Sequence, residues 1–198
     1  MSLIQSTAEP VIPRNMECHK EGLSIIRTKN LGYCAVLYEP FIKNGNYRFE
    51  GFFKNSDLGF SIGIADESVV FEADDEVINI GKFKGKIVDY YNEGGLYHMS
   101  FPGLKGNGSF REGQKVAMEV NMDTNPRKLR FFIEGVEQPL SVINIPECIR
   151  FWIGLQDGFE ISFTLTQFQS LSSPSPKMTT ESKEISWGKD WNKKCVIQ

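Results

Sequence analysis

The chain has 198 residues, 40% of them hydrophobic and 12% aromatic, which suits one domain with a sizeable core and is too short for two. A formal charge of −3 without a clustered basic face excludes nucleic acid as a partner class. No run approaches the ~18 apolar residues of a membrane-spanning helix. The N-terminal MSLIQSTAEPVIPRN has no basic stretch followed by an apolar one, so a cytoplasmic location is expected.

Residues 1–15, with Pro10 and Pro13, read as a flexible lead-in to a domain spanning 16–171. Short strands are predicted at 22–28, 33–38, 59–65, 86–91 and 148–155. The remaining strands are signalled by alternation of apolar and polar residues, the period of a sheet with one face in the core. Tyr47, Phe49, Gly51 and Phe53 alternate with Arg48 and Glu50. Val116, Met118, Val120 and Met122 form an inward set opposite Lys115, Glu119 and Asn121, and Leu129, Phe131 and Ile133 form a second one. Asp123 to Arg127, with Asn125 and Pro126, connects the two as a hairpin. Phe159, Ile161, Phe163 and Leu165 close the series. No window of eleven or more residues in the domain has a 3.6-residue apolar period, so the fold class is all-β, an antiparallel sandwich.

After Phe168 the composition turns to SLSSPSPKMTTESKE, too polar to offset its ordering entropy, and residues 172–198 are expected to form a disordered tail. Five lysines against three acids give residues 173–198 a net charge of +2, leaving −5 on the body. The four cysteines, Cys18, Cys34, Cys148 and Cys195, are scattered without a CxxC pair. They read as free thiols, with neither a disulfide framework nor a zinc site.

In order, these segments resemble the SPRY domain over roughly residues 20–168. GNYRFEGFF (45–53) resembles that family's G-x-Y-x-W-E-V strand, with Phe49 for its tryptophan, and GFSIGIADES (59–68) its VGVA strand and loop. YYNEGGLYH (90–98) is similar to its dG turn followed by tyrosine and histidine. FREGQKVAMEVNMDTNPRKLRFFIEG (110–135) carries the most specific match, at Gly113, Val116, Asp123, Leu129, Phe131 and Gly135. Gln114 departs from the family's Asp and Glu134 from its Asn, and Glu134 makes a tight type I′ turn less favourable. FWIGLQDGFEISF (151–163) resembles the last two core strands.

The resemblance implies a concanavalin-like jelly roll that captures a protein or short peptide ligand with loops at one end of the sandwich. Val70 and Phe71, apolar in the loop 65–76, and Gln156, Asp157 and Gly158 in the turn between the last two strands are the expected contacts. Val70 and Phe71 are equally compatible with a core-facing strand. Catalysis is not expected. His19 and His98 are the only histidines, and no GxSxG, HExxH or phosphate loop occurs. Carboxylates at Asp66, Glu67, Glu72, Asp74, Asp75 and Glu76 read as a solvated rim, although a carbohydrate-binding or glycoside-hydrolysing sandwich is the alternative. No metal or cofactor is expected.

The last four residues, Cys195-Val196-Ile197-Gln198, form a CaaX box, a substrate for protein farnesyltransferase, with Cys195 as the lipid attachment site and the other three as recognition elements. One lipid anchors only reversibly and needs a second signal. Lys189, Lys193 and Lys194 supply charge toward an anionic membrane surface. Trp187 and Trp191 could settle at headgroup level, unless one of them packs back on the sandwich. The resulting expectation is an adaptor held peripherally at the cytosolic face of a membrane.

Overall fold

A computed structural model describes residues 7–28, 32–55, 59–73, 75, 81–156, 161–176 and 182–192. Its sixteen strands are β1 (Glu9–Val11), β2 (Cys18–Glu21), β3 (Ser24–Arg27), β4 (Tyr33–Ile42), β5 (Asn46–Lys54), β6 (Phe60–Asp66), β7 (Ile87–Tyr91), β8 (Gly95–Tyr97), β9 (Leu104–Lys105), β10 (Val116–Asn121), β11 (Lys128–Ile133), β12 (Val136–Glu137), β13 (Leu140–Ile143), β14 (Ile149–Gln156), β15 (Ser162–Leu171) and β16 (Lys183–Ser186). They build a seven-stranded sheet, β1-β4-β14-β6-β7-β8-β9, and a nine-stranded sheet, β16-β13-β11-β10-β5-β15-β3-β2, with β12 on β11. The fold is an all-β sandwich in which every described pairing is antiparallel except β13 with β16.

Period-two alternation decides which side of each strand enters the core. Val116, Met118 and Val120 are sealed between the sheets, while Glu119 of the same strand faces outward. Met118 lies opposite Phe49 and Phe131, so consecutive strands place rings at one level. Phe49 stacks on Phe151 at 5.1 Å and on Phe163 at 5.7 Å, and Tyr38 meets its edge at 5.0 Å. Such ring pairs contribute about 1 kcal/mol each beyond burial. Gly51 leaves room for this layer, since a Cβ there would stand 2.3 Å from the Phe163 ring.

The turn Glu134-Gly135 closes the β11–β12 hairpin with both residues at positive φ, 48° and 77°. Glu134 therefore adopts the type I′ turn that its identity disfavours. Its carboxylate accepts the Lys115 N–H at 2.6 Å and its own N–H reaches the Lys115 carbonyl at 2.8 Å, offsetting the left-handed strain.

The expectation of a disordered stretch over 172–198 requires correction for residues 182–192. Strand β16 pairs in parallel with β13, Leu140 opposite Lys183 through Ile143 opposite Ser186. Ile185 is 1% exposed and Trp191 5%, both in the main core. Composition misses this because an apolar residue every few positions, Ile185, Trp187 and Trp191, suffices once a sheet edge offers hydrogen bonds. Before this strand, residues 172–176 pass across the outer face of the nine-stranded sheet. There the Ser175 hydroxyl donates to Glu119, and Arg130 donates to the Ser175 carbonyl at 2.8 Å. Glu119, 3% exposed, also takes Arg48 at 3.0 Å and Arg130 at 2.7 Å, which neutralises a carboxylate that could not be buried alone.

Candidate ligand-binding surface

Val69, Phe71 and Phe83, from the connection between β6 and β7, pack on the outer face of the seven-stranded sheet. Val69 (1% exposed) and Phe71 (4%) are buried, and Phe71 meets the edges of Phe83 at 5.1 Å and Trp152 at 5.5 Å. These residues form a second core with Ala35, Leu37, Ala65 and Ile87. Trp152 fits because Gly63 has no side chain: a Cβ there would stand 2.4 Å from the indole nitrogen, which donates to the Val88 carbonyl at 3.2 Å. Phe71 is therefore an anchor of the loop, the core-facing one of its two readings. Val70, between two buried neighbours, is 66% exposed.

Arg150 joins Val70 to a wider surface. Its guanidinium donates to the Val69 carbonyl at 2.6 Å and to Glu39 at 3.1 Å, and lies 4.3 Å from the centre of the Phe41 ring. Phe41 is 41% exposed. Phe41, Arg150 and Glu39 thus meet at one place, with Arg150 itself 6% exposed, and exposed Val70 directly follows the carbonyl that Arg150 holds. Aromatic and Arg side chains held in place by their surroundings are the groups that dominate protein interfaces. The signal in the sequence was the exposed β-branched residue, but its partners Phe41 and Arg150 are distant in the chain and were not anticipated.

Gln156 lies elsewhere. Leu155 pairs with Phe60 at the start of β6, whereas Ile149 pairs with Asp66 at its end, from which the Val70 loop departs. Six residue steps separate the two positions, about 20 Å along the strand. Val70 and Gln156 therefore sit toward opposite ends of the sheet and do not share one loop cluster. Gln156 accepts the Tyr91 hydroxyl at 2.8 Å, while Asp157 and Gly158 lie outside the described residues. Next to Gln156 is a buried polar set. The Tyr33 hydroxyl is 3.3 Å from Ser61 Oγ, and Asp89 (3% exposed) hydrogen-bonds Ser61 with one oxygen and has no partner for Oδ1 among the described residues. Burial pushes the Asp89 carboxyl up to about 7, with the Ser61 bond opposing.

His98 is 1% exposed and serves the C-terminal arm. Its Nε2 accepts the Gly188 N–H at 2.8 Å, so Nδ1 carries the proton and donates to the Ile87 carbonyl at 2.6 Å. The ring stacks on Trp191 at 4.9 Å and meets Trp187 at 4.5 Å. Both tryptophans therefore lie against the sandwich, a correction to their expected place at a membrane surface. Lys189 lies in the same short segment and is exposed. Lys193, Lys194, Cys195, Val196, Ile197 and Gln198 are outside the described residues. Asn192 ends the described arm, its side chain donating to the Pro102 carbonyl at 2.6 Å, next to Phe101, which is 72% exposed.

A cleft of about 330 Å³ opens on the outer face of the nine-stranded sheet, bounded by Glu119, Lys128, Arg130, Glu137 and the crossing residues Pro174 and Ser175. Its charges are mutually paired: Arg130 with Glu119 and Glu137, and Lys128 with Glu184 at 2.5 Å. Among the described residues, no group of three or more His, Cys, Asp or Glu side chains converges as a metal ion requires.

No protein-family model matches the chain, and no curated protein matches it. Solved structures show the fold. The SPRY domain of human HERC1 superposes with a TM-score of 0.55 at 15% identity, over 79% of this chain and 94% of that one. Another human SPRY domain gives 0.57 at 13% identity, over 85% and 100%. The carbohydrate-binding module CBM66 from Bacillus subtilis gives 0.51 at 7% identity, over 84% and 98%. The sandwich is thus of the SPRY type, a fold that a carbohydrate-binding module also adopts.

Proposed function

We propose that this protein is a non-catalytic recognition module that binds a protein or an extended peptide at the Val70, Phe41 and Arg150 patch. The observation that carries the reading is the exposure of Val70 between two buried anchors, Val69 and Phe71. An apolar side chain held between two buried neighbours is pre-organised for a partner and loses little entropy on binding. The only buried histidine, His98, has both ring nitrogens committed to backbone partners, so it is a poor candidate for proton transfer. Peptides selected from a displayed library against the intact chain should lose binding at least tenfold when Val70 is changed to Asp or Phe41 to Ala. Unchanged binding in both variants would remove the patch from consideration. Glycans on an array should give no signal, and a signal would favour the carbohydrate-binding alternative.

We further propose that protein farnesyltransferase modifies Cys195, reading Val196, Ile197 and Gln198, and that Lys189, Lys193 and Lys194 add attraction to an anionic cytosolic leaflet. The docked arm supports this reading. From Asn192, three residues reach Cys195, about 10 Å of chain. A lipid there would hold the sandwich near the bilayer with Phe101 on the adjacent surface. Fractionation of wild-type and Cys195→Ser protein from a eukaryotic cell tests it: the wild type should partition to membranes and the variant to the soluble fraction. Equal distribution would end the anchoring reading.

A further inference from the structure

Cys18 and Cys34 are sixteen positions apart and belong to different sheets. Cys18 lies on β2, the edge strand of the nine-stranded sheet, and Cys34 on β4 of the other. Both side chains nevertheless reach the same end of the interior, Cys34 fully buried and Cys18 half-buried, where the Cys18 thiol hydrogen-bonds Cys34.

The third member of the site is Arg27. It faces Cys18 across the β2–β3 ladder and is 1% exposed, yet its Nε and Nη1 have no hydrogen-bond partner among the described residues. A guanidinium cannot shed its charge, and burying two of its nitrogens without acceptors is costly. An anion beside it offsets that cost. The hydrogen bond to Cys34 and burial hold the Cys18 proton well above the usual thiol range, against the charge of Arg27, whereas at Cys34 the same hydrogen bond and Arg27 favour the thiolate, against burial and Glu17. A thiolate held mainly on Cys34, and reaching Cys18 when the proton moves along their hydrogen bond, is thus an anion beside the orphaned donors of Arg27.

We infer that Cys18 and Cys34 form a peroxide-sensitive dithiol whose oxidised form is a disulfide joining the two sheets. Cys18 is the sulfur that solvent reaches. With its proton passed to Cys34 along their hydrogen bond, the Cys18 thiolate attacks one oxygen of the peroxide and the O–O bond breaks. This leaves a sulfenic acid on Cys18 and one hydroxide, which takes a proton to become water. Cys34 then attacks the Cys18 sulfur and loses its proton, the S–S bond forms, and the sulfenic oxygen departs as a second water. The thiolate–thiol pair gives up two electrons and one proton, solvent supplies a second proton, and hydrogen peroxide is reduced to two waters. A thiol reductant reverses the step by exchange.

The experiment uses the full chain. Reduced protein is treated with sub-millimolar hydrogen peroxide, alkylated and digested without reduction. The expected result is one cross-linked peptide pair, Cys18 with Cys34, a mass loss of about 2 Da, and a melting temperature raised by several degrees that returns with dithiothreitol. In Cys34→Ser, the same treatment should leave Cys18 as a sulfenic acid trappable by dimedone. Arg27→Gln should slow the bridging of the otherwise native pair about tenfold. A peptide map in which both cysteines stay alkylated, or in which either pairs with Cys148 or Cys195, would overturn the inference. So would an oxidation rate unchanged in a folded Arg27→Gln protein. The map on the native chain decides the matter even if that variant does not fold.

Discussion

The imidazole of His98 and the backbone N–H of Gly188, ninety positions apart, are joined by a 2.8 Å hydrogen bond that holds the C-terminal arm to the sandwich. Only a neutral ring can accept it. Burial lowers the affinity of His98 for a second proton below the usual 6.5, with the Ile87 carbonyl opposing. The unfolded chain therefore binds more protons than the folded one just below pH 6.5. Docking stability is complete above that pH and is lost as pH falls through the lower folded value. Hydrogen-exchange protection factors of residues 183–191 should fall as the pH is lowered below 6.5. In His98→Gln they should be low at pH 7 already.

Asp89 acts with the opposite sign. Its folded value of about 7 exceeds the ordinary 3.8, so the folded chain holds the extra proton between these limits. Its contribution is fully present below pH ~4 and is lost as pH rises through 7. Asp89→Asn should flatten this part of the stability curve and make the protein more stable at pH 8 by a few kcal/mol. Chemical denaturation at pH 5 and pH 8 measures both effects.

Adjacent positions 70 and 71 should separate stability from binding. Phe71→Ala removes a ring packed on Phe83 and Trp152 and should cost about 3–5 kcal/mol. Val70→Asp changes an exposed side chain and should cost less than about 0.5 kcal/mol while abolishing capture of selected peptides. Thermal melts paired with binding isotherms give the comparison.

Glu119 organises the outer face of the nine-stranded sheet. Glu119→Ala leaves Arg48 and Arg130 without their shared carboxylate and frees the Ser175 hydroxyl, and should destabilise by about 3–5 kcal/mol. Limited proteolysis should then cut near Ser175 faster than in the wild type. Equal cutting rates would show that other contacts hold the crossing segment.

Much of the sandwich was legible because alternation reports burial directly. The inward set Val116, Met118, Val120 and Met122 lies in the main core, while Ala117 and Glu119 between them are covered on the other face, and strands expected near 33–38, 59–65, 86–91 and 148–155 are β4, β6, β7 and β14. What escaped is non-local. Strands β12, β13 and β16 are too short to show a period, and β16 exists only because β13 offers an edge. In the candidate site, Val70 could be singled out as an apolar residue in a loop. That Phe71 turns inward depends on Trp152, and that Phe41 and Arg150 stand beside Val70 depends on β4 and β14 arriving there together. Pattern along one segment carries no trace of such neighbours.

Because β16 zips onto β13, composition is a poor guide to where this chain can be cut. A truncation at residue 171 would strip the outermost strand from the larger sheet and withdraw Ile185 and Trp191 from the interior. The bared flank would combine free backbone donors and acceptors with an oily trough lined by Leu140 and Val142, a template for self-association. Shortened versions should precipitate or swap arms with one another, whereas chains kept through residue 192 should remain single.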